Sequence, residues 1–205
     1  MSSALAIAAT TFLLKDLLDN RLIVQELVAQ IGEVSVTALS PDRVPVGAEE
    51  RSQLNIFLYR TTPYAAWRGR AALAARPGDP TPRAGGDAPG PALLLDLHYL
   101  ISAYGADDFH ADILLGAAMQ AFHCTPVLIT PARGKDATAP ASDGESPLRA
   151  ALAAVEPYPA GAELTITPEY LSSEETSKLW SALQARYRPS ATYKVSAIRL
   201  AGGEG

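Results

Sequence analysis

Apolar positions along the chain change period several times, and each change marks an element. Leu5, Ala8, Ala9, Phe12, Leu17, Ile23 and Leu27 recur near a 3.6-residue period, which predicts a first helix. Ser2 or Ser3 caps it; it runs to about Gln30 and Gly32 closes it. In "EVSVTAL" (33–39) the period drops to two, with Val34, Val36 and Ala38 on one face of a half-buried strand. "SQLNIFLYR" (52–60) alternates with large apolar groups on both faces, as an inner strand does. "ALLLDLHYLISAY" (92–104) repeats the pattern over an unusual length, with Leu93, Leu95, Leu97, Tyr99 and Ile101 opposite Leu94, Asp96, His98, Leu100 and Ser102.

Gly105 interrupts the alternation. A helix over about 108–123 follows, capped by Asp107 or Asp108, with its stripe at Ile113, Leu114, Ala117, Ala118, Ala121 and Phe122. "PVLIT" is a short strand or extended exit, a short helix covers "LRAALAAV", and "AELTITP" (162–168) is another strand. "SSEETSKLWSALQARY" carries a capping box, with Ser172 at the N-cap and Glu175 three residues on. Its stripe is Leu179, Trp180 and Leu183, and Pro189 ends it before the strand "ATYKVSAIRL". The expected fold is α+β: a mixed, largely antiparallel sheet of about four or five strands packed by helices. It forms a single domain over 1–205, with mobile Pro/Gly loops at 76–91 and 131–147.

Composition narrows the function classes. The chain has 205 residues, net charge −5 and 19% charged residues, without a Lys/Arg cluster of the kind that follows a nucleic-acid backbone. Its single cysteine, Cys124, excludes an internal disulfide. "MSSALAIAATTFLL" lacks a basic start and flows into helical spacing, and no apolar run reaches the ~18–20 residues that span a bilayer. The expectation is a soluble, cytoplasmic product with no membrane insertion.

Asp96 and His98 share a strand face and could form a carboxylate–imidazole pair, although flanking Leu94 and Leu100 suit a partly buried structural pair as well. Asp107, Asp108, His110 and Asp112 sit where a helix start needs acceptors. His123 lies thirteen positions after His110, too far for both to hold one ion on a helix. No GxSxG elbow, phosphate loop or GxGxxG follows a strand. No catalytic residue, metal or cofactor is expected.

Four stretches in order carry a resemblance: "ALAIAATTFLLKDLLDN", "LNIFLYRTTPYAAWRGR", "LLLDLHYLISAYGADDFHADILLGAAMQAFHCTPVL" and "LTITPEYLSSEETSKLWSALQARYRPSATYKVSAIRL". Together they resemble the cap, or tail-terminator, proteins of extracellular contractile injection systems, phage-tail-like particles with an inner tube and a contracting sheath. The family has Arg-Asn where this chain has Arg68-Gly69, and many members carry a C-terminal region beyond "SAIRL". The resemblance implies a structural α+β protein that forms a hexameric ring on the distal end of tube and sheath. It would assemble in the cytoplasm, in a particle that is intracellular or released.

A ring needs heterologous contacts that close, and aromatic and Arg anchors dominate such interfaces. The interface candidates are Tyr59, Tyr64, Trp67, Arg68 and Arg70 after the second strand, and Tyr187 and Arg188 before the last. Trp67 could instead pack under the 76–91 loop, Arg188 could bond helix carbonyls, and Trp180 belongs to the core. Two other functions stay open: a small hydrolase-like enzyme centred on Asp96/His98, and an adaptor for one partner protein.

Overall fold

The longest alternating run becomes the centre of the sheet. In the computed structural model, which describes residues 5–24, 31–64, 93–129 and 163–200, strand β3 spans Leu93–Tyr104 and is buried at every position from Leu95 onward. A strand apolar on both faces needs neighbours and cover on each side. Its neighbours are β2 (Gln53–Pro63) and β6 (Ser190–Leu200), both antiparallel to it. β5 (Glu163–Glu169) pairs with β6, and β4 (Val127–Ile129) with β5, again antiparallel. Among the described strands only the short β1 (Ser35–Thr37) runs parallel to its neighbour, β2.

The α+β, largely antiparallel expectation holds, with a six-stranded sheet ordered β1-β2-β3-β6-β5-β4 rather than four or five strands. The excess comes from β1 and β4, each only three residues long, at the two edges. β1 is shorter than "EVSVTAL" predicted. Val36 is buried, but Ala38 is exposed because the Asn55 side chain takes over the pairing. Its amide accepts from the Leu39 N–H and donates to the Leu39 carbonyl, each at 2.9 Å.

Helices α1 (Ala6–Val24) and α2 (His110–Cys124) cover one face of the sheet. Leu14 and Leu18 from α1 and Leu114, Ala118 and Phe122 from α2 meet Leu97, Tyr99, Ile101 and Val195 in one core. Each large side chain so buried contributes about 1.5–3 kcal/mol. Polar groups also cross this layer: the Thr11 and Tyr99 hydroxyls lie 3.0 Å apart, joining α1 to β3. Phe122 meets the Tyr193 ring edge-on, with centroids 4.8 Å apart.

The start of α2 differs from expectation. Neither Asp107 nor Asp108 caps it. The N-cap is Phe109, in the left-handed region at φ 68°, with no side-chain cap, and Asp107 accepts from His110 N–H through its backbone carbonyl at 3.3 Å. Two contacts fix this turn instead. Ser52 Oγ lies 2.8 Å from His110 Nδ1 and accepts from the Ala106 N–H at 3.3 Å.

Helix α3 (Ser173–Ala182) carries the predicted capping box, Ser172 with Glu175, and buries Trp180. Pro189 does not end it. The helix stops at Ala182, and Gln184 at φ 53° turns the chain away. The cap and C-terminal end expected for the first helix, both Pro/Gly loops (76–91 and 131–147), the "LRAALAAV" helix and the glycine tail lie outside the described residues; Gly32, expected to close the first helix, has φ +88°.

Candidate functional site

On the sheet face opposite α1 and α2, the alternation of β3 points Asp96, His98, Leu100, Ser102 and Tyr104 together, and all are buried. His98 is the centre of a polar cluster, but its acidic partner is not Asp96. Glu169, at the end of β5, lies with Oε2 2.8 Å from His98 Nδ1. His98 turns to Glu169 instead of Asp96; beside Asp96 the register of β3 against β6 shifts between Leu95 and Leu97, where Ser196 and Ala197 of β6 stand opposite the single residue Asp96, so the extra residue lies in β6. Asp96 Oδ1 is buried without a hydrogen-bond partner.

A second register shift completes the cluster. Leu58 pairs with Tyr99 and Arg60 with His98, which leaves Tyr59 as the extra residue of a β-bulge. Strict alternation would send Tyr59 and Arg60 to opposite faces. With the bulge, both reach Glu169: the Tyr59 hydroxyl donates to Oε2 at 3.1 Å and Arg60 donates to Oε1 at 3.2 Å. Thr62, two residues on, places its hydroxyl 2.9 Å from His98 Nε2. Since the carboxylate faces Nδ1, that nitrogen carries the ring proton, and in the neutral ring Nε2 accepts from Thr62.

Burial works against a charged Glu169. The hydrogen bond and charge of His98, the Tyr59 hydroxyl and the Arg60 guanidinium outweigh it, and the carboxyl lies below its ordinary 4.5. Burial, reinforced by the Glu169 charge and hydrogen bond, pushes the Tyr59 phenol up to about 12, so it remains a donor at neutral pH. A carboxylate, an imidazole and a hydroxyl in this order are the components of a nucleophile relay. Here the His98 side chain is only 5% exposed and both carboxylate oxygens are occupied. The arrangement pins β2, β3 and β5 to one another.

A second cluster holds the other interface candidates. Arg188 donates to Glu50 Oε2 at 2.7 Å and lies over the Tyr104 ring, 5.6 Å from its centroid. It does not bond the helix carbonyls. Tyr187 is 65% exposed and meets buried Trp180 edge-on, with centroids 5.8 Å apart. Tyr64 is half-buried and donates its N–H to the Leu94 carbonyl at 3.0 Å. Trp67, Arg68 and Arg70 lie outside the described residues. Tyr59 and Arg188 are therefore engaged within the chain, while Tyr187 presents its ring outward.

Sequence reasoning placed His98 on a buried polar face but missed Glu169, Tyr59 and Thr62 as its partners. No spacing signal links residues 71 positions apart, and only the bulge brings Tyr59 to that side. Among the described residues, no group of three or more His, Cys, Asp or Glu could hold a metal ion, and no helix is long and apolar enough to cross a membrane.

The Pvc16 N-terminal domain family matches residues 9–204. No curated protein matches the chain. Among solved structures, one described as "Cryo-EM Structure of an Extracellular Contractile Injection System, PVC sheath/tube terminator in extended state" is similar at 16% identity and TM-score 0.48, covering 89% of this chain and 56% of its own. Another, "Cryo-EM structure of the anti-feeding prophage cap (AFP tube terminating cap)", is similar at 14% identity and TM-score 0.48, covering 91% and 55%. The chain thus spans little more than half the length of the solved proteins that it matches.

Proposed function

The chain belongs to the Pvc16 N-terminal domain family, and from that membership we propose that it is a structural terminator of a contractile injection particle. In this reading it forms a ring of six copies on the distal end of the inner tube and sheath. The ring ends polymerisation and holds tube to sheath. Assembly takes place in the cytoplasm, and the protein works without catalysis, cofactor or nucleic acid. The single domain over 1–205, with mobile loops at 76–91 and 131–147, belongs to the same proposal.

The observation that carries this reading is the family match over residues 9–204, nearly the full length of the chain. The internally braced sheet supports it: the His98–Glu169 cluster joins three strands, as a part that bears load between a tube and a sheath requires. The proposed contact residues are Tyr64, Trp67, Arg68 and Arg70 after β2 and Tyr187 before β6; Tyr59 and Arg188, also candidates, make contacts within the chain. The test is incorporation of a Trp67→Ala/Arg68→Ala double mutant into particles. Reduced incorporation by a folded monomer supports the contact, and wild-type incorporation removes these two residues from it.

One observation favours a second reading, a hydrolase: the order Glu169, His98 Nδ1, His98 Nε2, Thr62 hydroxyl. Its test is covalent labelling by an activity-based probe for nucleophilic hydroxyls. Labelling of Thr62 that disappears in His98→Ala would establish it. An unlabelled, folded protein would dismiss it.

A further inference from the structure

We draw no further inference here: the strongest candidate, the exposed apolar patch of Val46, Phe109 and Tyr187 at the end of the sheet where β2 begins and β3 ends, carries exposed charges of both signs on the same loops, Asp107 and Asp108 with Arg43, Arg51 and Arg186, and nothing in the structure shows what covers it.

Discussion

The Glu169 carboxylate lies 2.8 Å from the His98 imidazole, although β6 separates their strands in the sheet. Glu169→Gln keeps the shape and removes the charge that His98, Tyr59 and Arg60 address. The expected loss is about 1–3 kcal/mol in urea or thermal unfolding, since the buried His98 loses a charged acceptor.

The same group sets an acid dependence. The folded carboxyl lies below its ordinary 4.5, so its contribution is fully present above pH 4.5 and is lost as pH falls through the folded value. Stability of the wild type should therefore decline more steeply below pH 4.5 than that of Glu169→Gln. Unfolding free energies measured from pH 7 down to pH 3 check this, and parallel curves would contradict it.

Tyr59→Phe removes one hydroxyl donor to Glu169 and should cost about 0.5–1.5 kcal/mol. Ultraviolet difference titration of wild type against this variant should show one phenol ionising only near pH 12.

Gly105 has a packing role. Gly105→Ala forces a methyl group against the backbone of α2, so the expected destabilisation is about 1–3 kcal/mol. Ser172→Ala breaks the capping box of α3 and should cost about 1 kcal/mol. Thermal unfolding checks both.

Much of the sheet was legible because period-two runs such as Leu93–Tyr104 record burial on each face directly. The capping box was legible because its two residues are three apart. The His98 cluster was not, because the register shift at Tyr59 changes which side chains meet, and a single extra residue leaves no trace in the apolar pattern. The α2 start misled for a related reason. Asp107 and Asp108 have the chemistry of caps, but the Ser52–His110 contact, between residues 58 positions apart, decides the turn.

Deleting this chain's gene and measuring particle lengths by negative-stain microscopy reaches the central claim most directly. A terminator predicts tubes and sheaths of scattered length, separated at the far end, with both defects reversed when the gene is restored. Particles of ordinary length with tube and sheath still joined at that tip would contradict it.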